Sequence, residues 1–412
     1  MFHKILNLTL TLMLIVTSQV AYADSSVKAV QEKLLELGYK PGIADGLWGR
    51  KTQSALEQFL SSKGQVFDGL LDENELQLLA IENIRCAAKP HPRSSRLLSK
   101  SWSAEVTCPA EVFVAADLKY QTKVEVENTL DAGASEWGNY GPVEYWVLGA
   151  DRQAALNLAK QFCKRRAARN DWDYNSCYNR ETREGDHGLI TYQEIGAEAL
   201  KSGRPSGNAG HNGGMDWGIH RFSSSMPLGF EKKLRVKGQW EQITILHEYF
   251  HGVQHAHTRH LNRNSRDKAL GPMWFMEGAA TYMSYITQSK LVRENKLKKW
   301  PRSFDYRDVM ASDFEKIKTD DKKHNCVKQM PNAKYDSPCN LFFYQGGAWA
   351  IAYLINKTDR DVLLNTFYPN IERHGWNGAF EIAFNMKPED FYVEFEEFMK
   401  NSRGSARRIL LR

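Results

Sequence analysis

The sequence predicts an α+β fold, in which a small three-helix module precedes a larger domain with a small sheet and a mainly helical C-terminal half. Three short apolar helix patterns, separated by Asp-Gly turns, fill residues 24–85. Runs rich in valine and aromatic residues at 111–114 and 142–148 have the composition of strands. The 412 residues exceed one ordinary domain and fit a small module followed by a larger one.

The first 23 residues have the features of a secretory signal peptide. Lys4 lies in a basic start, residues 5–20 are mostly apolar, and Ala21-Tyr22-Ala23 forms a small-x-small cleavage site. An uncleaved signal anchor is the alternative, because the apolar run is close to the shortest that can span a bilayer. No later segment is long and apolar enough to span. We therefore expect export to the periplasm, the cell surface or the medium, without stable membrane insertion.

Six cysteines lie beyond the predicted cleavage site, in a compartment that permits oxidation. Six cysteines allow 15 pairings, and sequence alone does not choose among them. We favour the sequential pairing because it closes three short loops in polar, turn-rich stretches. The predicted disulfides are Cys86–Cys108, Cys163–Cys177 and Cys326–Cys339.

The net charge argues against a nucleic-acid partner. The chain carries +6, and loss of Lys4 with the signal peptide leaves 6 − 1 = +5. This mild basicity suits an anionic wall or membrane surface, but no basic patch lies on a known nucleic-acid-binding module.

Helix patterns at 27–37, 52–60 and 73–79 define the N-terminal module, residues 24–85. It resembles the peptidoglycan-binding domain type 1 family, which implies a three-helix fold and peptidoglycan as a partner. The residues that carry the resemblance are Leu37-Gly38-Tyr39, Asp45-Gly46-Leu47-Trp48-Gly49-Arg50-Lys51-Thr52, Ala55, Phe59 and Asp68-Gly69. The chain departs from the family at Leu60, where Gln is usual, and at Asn74-Glu75, where a Thr is usual. A helical spacer of the same fold without wall affinity is the alternative.

Residues 86–109 form a predicted linker, rich in Lys, Pro, Arg and Ser, before a domain at 110–412. Further along this domain, helix patterns cover 120–130 and 152–168, and residues 201–216 form a glycine-rich loop. A strand at 217–223 follows. We expect it to be a sheet edge that can pair with an extended peptide.

The segment His247-Glu248-Tyr249-Phe250-His251 combines two histidines and a glutamate at helical spacing. Residues four apart leave one side of a helix, so both imidazoles can chelate a single Zn²⁺. Glu248 lies between them and can act as general base toward a water at the metal. The pattern predicts a catalytic zinc site with His247 and His251 as ligands.

A second helix, predicted at 272–290, supplies the candidate third ligand, Glu277. Catalytic zinc takes three protein ligands and keeps one position open. The segment Trp274-Phe275-Met276-Glu277-Gly278-Ala279-Ala280-Thr281-Tyr282 resembles the third-ligand motif of gluzincin metallopeptidases. The resemblance implies a thermolysin/aminopeptidase-like zincin domain, a zinc cofactor and a peptide or protein substrate. The gap between the two motifs is several residues longer than in those relatives.

Tyr344, in Tyr344-Gln345-Gly346-Gly347-Ala348-Trp349, resembles the gluzincin aminopeptidase tyrosine that donates a hydrogen bond to the tetrahedral oxyanion. Its alternative role is aromatic packing at a helix start. Thr281 and His255, each one turn beyond a ligand, are placed to orient the histidines.

Two rival site assignments remain. His257 stands where a metzincin has its third ligand, but Gln254 occupies the position at which that motif needs Gly to turn the chain. Cys86 follows a module similar to one in matrix metalloproteinase pro-segments, where a cysteine blocks the zinc, although the rest of that switch motif is missing. We favour Glu277 over His257 and a disulfide for Cys86.

Three functions are compatible with these features. The first is an exported zinc metallopeptidase that cleaves proteins near the wall. The second is the same chemistry directed at peptidoglycan stem peptides or cross-links. The third, a non-enzymatic wall-binding protein, is disfavoured because a structural zinc site needs no general base and prefers four protein ligands.

Overall fold

The computed structural model describes residues 25–45, 48–67, 71, 73–80, 109–140, 143–168, 172–185, 188–211, 220–258 and 263–411. These residues form two compact units, at 25–80 and 109–411. The predicted signal peptide, nearly all of the predicted linker, Cys86 and Cys108 lie outside them. In the part of the chain that is described, no helix has the length and apolarity needed to cross a bilayer.

The N-terminal unit consists of α1 (Ser25–Glu36), α2 (Arg50–Ser62) and α3 (Glu73–Leu78), close to the predicted ranges. Gly38 adopts φ +85°, a conformation that side chains disfavour, and the chain turns there. Leu60 is 1% exposed and packs in the core, so an apolar residue replaces the usual Gln inside the module. The core residues are Val30, Leu34, Ala55, Leu56, Phe59, Leu60 and Leu79.

The larger unit contains a four-stranded sheet formed by β1 (Glu111–Val114), β2 (Val143–Val147), β3 (Ala209–His211) and β4 (His220–Ser224). The strand order is β1-β2-β4-β3; the first three are parallel, and β3 runs antiparallel to β4. The predicted strands at 111–114 and 142–148 are confirmed as β1 and β2. Every residue of β2 and of β4 is buried, because the sheet is covered on both faces.

The edge strand differs from the expectation. The described part of segment 217–223 belongs to β4, which pairs with β2 on one side and β3 on the other, so its prediction as an edge is wrong. Among the described strands the edge on this side is β3, which lies within the glycine-rich segment predicted as a loop. Ala-Gly-His has no apolar alternation, and its strand state comes from backbone pairing with β4.

Helices cover the sheet and make up the whole C-terminal half of the larger unit. In chain order they are α4 (Tyr120–Trp137), α5 (Arg152–Ala168), α6 (Tyr174–Glu181), α7 (Leu189–Ser202), α8 (Leu228–Glu231), α9 (Gly238–Ala256), α10 (Arg263–Leu270), α11 (Met273–Arg293), α12 (Tyr306–His324), α13 (Cys326–Gln329), α14 (Asn340–Lys357), α15 (Tyr368–Phe384), α16 (Pro388–Phe398) and α17 (Arg403–Ala406). Short 3₁₀ turns follow α13 and α17, and a π-helical turn, Leu363–Phe367, precedes α15.

Helices α11 and α14 meet in backbone contact at two glycines. A Cβ added to Gly278 would lie 2.4 Å from the carbonyl carbon of Gly347, and one added to Gly347 would lie 2.4 Å from the carbonyl oxygen of Trp274. Glycine costs about 1 kcal/mol relative to alanine inside a helix, so helix propensity does not favour it at either position. Glu277 is adjacent to Gly278, and Tyr344 is three residues before Gly347. The close crossing of the two helices therefore brings Glu277 and Tyr344 near each other.

Two disulfides are present in the larger unit. Cys163–Cys177 joins α5 to α6, and Cys326–Cys339 joins the start of α13 to the residue before α14. Both pairings are as predicted. The second bridge encloses a short segment, residues 327–338, that reaches the cleft described below.

Candidate metal centre and cleft

Packing of helix α9 against α4 determines which of its faces lines the cleft. The ring of Phe250 packs edge-on against Trp137 at 4.9 Å between centroids, and the Tyr249 hydroxyl donates to the carbonyl of Gly138 at 2.8 Å. Both contacts hold α9 against α4. The face that carries His247 and His251 consequently lines a cleft of about 830 Å³.

Glu277 of α11 meets both histidines. The Nε2 atoms of His247 and His251 are 3.1 Å apart, and Glu277 Oε2 lies 3.2 Å from the first and 3.3 Å from the second. Ligand atoms at about 2.0–2.1 Å from a tetrahedral zinc are separated by about 3.3 Å, so this triangle has the size of one face of such a coordination shell. Among the described residues, these three form the one group of His, Cys, Asp or Glu side chains suited to a metal.

Each of the three residues is oriented by a further hydrogen bond. Gln254 Oε1 lies 2.8 Å from His251 Nδ1 and can accept a hydrogen bond from the Nδ1–H group, which leaves Nε2 free to ligate. Thr281 Oγ1 lies 3.4 Å from His247 Nδ1, in the position predicted for it. The Tyr335 hydroxyl donates to Glu277 Oε1 at 2.6 Å, on the oxygen opposite the histidines.

Gln254 is itself held on two sides. Its amide group donates to the carbonyl of Met276 at 2.9 Å and to the hydroxyl of Tyr368 at 3.0 Å. The donor and acceptor ends of this amide are thus distinguished by their partners. Because Met276 precedes Glu277, one side chain links the orientation of His251 to the helix that carries the third candidate ligand.

Neither His255 nor His257 belongs to the triangle. The ring of His255 lies 6.5 Å from that of His251, and burial, followed by the nearby Arg266, lowers the pKa of His255 well below its usual value. His257 Nδ1 lies 2.8 Å from the carbonyl of Val253. Helix α9 continues through Gln254 to Ala256, so the chain does not make the turn that a metzincin-type ligand at His257 would need.

Within the triangle, His251 and Glu277 shift each other's pKa in opposite directions. Burial lowers the pKa of His251, but the adjacent Glu277 carboxylate outweighs it and raises that pKa to about 9. Burial acts in the opposite sense on Glu277, yet His251 and then His247 hold its pKa well below the usual range. At neutral pH the metal-free pair is therefore imidazolium and carboxylate, and a metal must displace the proton of His251.

This proton makes metal affinity depend on pH. The pKa of His251 is higher in the folded protein than in the unfolded chain. The contribution of the His251–Glu277 ion pair to the stability of the metal-free fold is therefore complete below about pH 6.5, and it is lost as the pH rises toward about 9. Between these limits a zinc ion at this site would compete with one proton. We expect the zinc association constant to rise about tenfold per pH unit from pH 7 and to level off near pH 9. Competition with a chromophoric chelator measures it, and a flat profile over pH 7–8.5 would contradict the imidazolium.

Glu248 and Tyr344 face the same cleft. Glu248 is 8% exposed and lies beside the triangle without belonging to it. The ring of Tyr344 stacks on that of His247 with centroids 6.3 Å apart. Burial, and then the carboxylates of Glu277 and Glu248, raise the pKa of Tyr344, so its hydroxyl keeps the proton it would donate.

The cleft is also lined by residues 207–210, which include the first two residues of β3 and the two residues before it. An antiparallel edge strand presents backbone donors and acceptors in one row, and an extended peptide can pair with such a row. The cleft therefore combines a strand edge, a triangle of metal-ligand type and a carboxylate.

Three residues of this site were not anticipated from the sequence. In the sequence, Gln254 is informative only because it is not the glycine that a metzincin turn needs, and Tyr335 lies in a polar segment with no motif around it. Glu241, in the first turn of α9, also lines the cleft. Gln254 and Tyr335 act through contacts with distant parts of the chain, and no pattern around Glu241 indicates that its side chain lines the cleft.

Comparison with known proteins identifies the N-terminal unit. Residues 23–79 match the family described as "Putative peptidoglycan binding domain". This module is a peptidoglycan-binding domain by family, and it indicates an association with the cell wall. No curated protein and no solved structure matches the chain.

Proposed function

We propose that the protein is a zinc-dependent hydrolase of peptide bonds that is held near the cell wall by its N-terminal module. The observation that carries the proposal is the triangle of His247, His251 and Glu277, with sides of 3.1–3.3 Å. Two imidazoles and one carboxylate are a ligand set of catalytic zinc, since they leave the fourth position open. The residues of this centre therefore fit the metal that the motif implies.

Bound zinc would supply an acidified water and a polarised substrate carbonyl. The chain's own residues would do the remaining work. Glu248 accepts the proton of the attacking water and passes it to the leaving amine, and the Tyr344 hydroxyl donates a hydrogen bond to the oxyanion. The edge of β3 aligns the substrate backbone, and Gln254 and Thr281 keep the ring nitrogens in the ligating orientation.

A second candidate function is cleavage of the peptide stems or cross-links of peptidoglycan. The family match at residues 23–79 favours it, because a domain that binds the wall raises the effective concentration of wall peptides at the site. We rank it below protein cleavage since wall binding would equally serve a protease that acts on neighbouring proteins.

Zinc-loaded mature protein should be incubated with casein in one reaction and with purified sacculi in another. We expect peptide release from casein that stops when a chelator removes the zinc and resumes when zinc is restored. Release of muropeptides without casein cleavage would reverse the ranking of the two functions. Inactivity on both substrates, with zinc bound, would contradict the enzymatic proposal.

A further inference from the structure

Glu241 lies in the same cleft as the candidate general base. It stands seven residues before Glu248 on α9, which corresponds to two turns and a rise of about 10 Å on one helix face. Both side chains line the cleft. The buried phenol of Tyr145, on β2, is close enough that Glu248 and Glu241 both raise its pKa, after the larger effect of burial. The two carboxylates are therefore directed toward the same space.

Among the described residues, Glu241 accepts one hydrogen bond, which the backbone amide of Gly229 donates to Oε1 at 3.2 Å. Burial raises the pKa of this carboxyl to about 7, and no cationic side chain contributes to the shift. Other enclosed acids of the unit are paired differently. Glu144 has Arg165 at 2.9 Å and Glu181 has Arg221 at 3.4 Å. Within the described part of the chain, Glu241 is thus an acid in the cleft without an ion-pair partner.

Aromatic residues line the same cleft as this carboxylate. The ring of Trp240 lies 4.5 Å from that of Phe304 and 6.3 Å from that of Tyr285, and Trp240 and Tyr285 line the cleft together with Glu241. A carboxylate beside aromatic rings is a favourable environment for an ammonium or guanidinium group, which gains from the charge and from the ring faces.

We propose that Glu241 determines substrate specificity by binding a cationic side chain, that of a lysine or arginine close to the scissile bond. The inference rests on the proposed function and names the substrate class of that same site. An extended chain advances about 3.3 Å per residue, so the separation of Glu241 from Glu248 places the cationic residue within about three positions of the cleaved bond. The arriving cation supplies the counter-charge that the protein does not.

The competing interpretation is that Glu241 only fixes the Gly229 amide and complements the N-terminus of α9. Glu241→Gln separates the two roles, because glutamine keeps an acceptor for Gly229 and removes the negative charge. Glu315→Gln is the matched control, since Glu315 is exposed on α12 and lies away from the cleft.

The first test identifies cleavage sites by mass spectrometry in a pool of unrelated peptides. We expect the wild type and Glu315→Gln to cleave preferentially at bonds that have Lys or Arg within three positions. In Glu241→Gln, the ratio of cleavage at such bonds to cleavage at other bonds should fall at least tenfold, while cleavage itself continues. A wild type without basic preference, or a preference that survives in Glu241→Gln, overturns the inference while leaving the hydrolase intact. Absence of any cleavage overturns the proposed function instead.

The second test measures binding without turnover. The probes are N-acetyl-arginine amide and its neutral analogue N-acetyl-citrulline amide, followed by tryptophan fluorescence or calorimetry on the zinc-loaded protein. We expect the arginine probe to bind about tenfold more tightly, and Glu241→Gln to abolish the difference. Glycinamide tests whether a free amino terminus serves as the cation. Equal binding of the arginine and citrulline probes, or stronger binding of glycinamide, contradicts a side-chain site.

Discussion

Glu248→Gln is expected to lower kcat for peptide hydrolysis by about 10²- to 10⁴-fold, the usual contribution of a general acid–base group. Glutamine has the shape of glutamate but cannot take the proton of the attacking water. Glu248 is outside the triangle of His247, His251 and Glu277, so its replacement should leave the zinc content at one ion per chain. Initial rates on casein, together with metal analysis of the same preparation, provide the measurement.

Glu315→Gln, which removes the same charge from an exposed position on α12, serves as the control for general charge effects. Undiminished turnover in Glu248→Gln would remove the general base from the mechanism. Loss of activity accompanied by loss of zinc would show instead that the substitution had disturbed the ligands.

Gly278→Ala should destabilise the larger unit severely. The new methyl group would lie 2.4 Å from the carbonyl carbon and 2.6 Å from the carbonyl oxygen of Gly347, and backbone atoms cannot rotate away as a side chain can. Helices α11 and α14 would have to separate. We expect a loss of about 3 kcal/mol or more, at the upper end of the range for overpacked positions. Thermal unfolding should occur roughly 6–12 °C lower.

Gly404→Ala is the matched control, because Gly404 is also helical and a Cβ there meets nothing within 4 Å. Alanine is the better helix former, so this change should be neutral or stabilising by about 1 kcal/mol at most. Comparable unfolding temperatures for the two variants would show that α11 and α14 can adjust their separation freely.

Local patterns in the sequence carry much of the fold. Helix α5 begins and ends at the predicted residues, and β1 coincides with its predicted range. The helical spacing of His247 and His251 predicts that they share one face of α9, and their ring nitrogens do lie 3.1 Å apart. Such features depend on the order of apolar and polar residues within a few turns, which a single sequence displays.

The features that escaped prediction depend on long-range contacts. Gln254 meets Met276 and Tyr368 at separations of 22 and 114 residues, and Tyr335 meets Glu277 at a separation of 58. The edge strand β3 exists because β4 offers it backbone partners, and its three residues show no strand pattern of their own. Neither the periodicity of apolar residues nor the spacing of motifs predicts which distant residues contact the cleft.

The contact between Gln254 and Tyr368 sets a lower limit on how far the chain can be shortened. Tyr368 begins α15, in the last part of the sequence, and its hydroxyl accepts a hydrogen bond from the amide that orients His251. A fragment that ends after Tyr344 would contain every candidate ligand and the candidate base, yet would leave that amide without one of its two acceptors. We therefore expect a shortened chain to keep the geometry of the candidate metal centre only if it includes helices that contribute no residue to that centre.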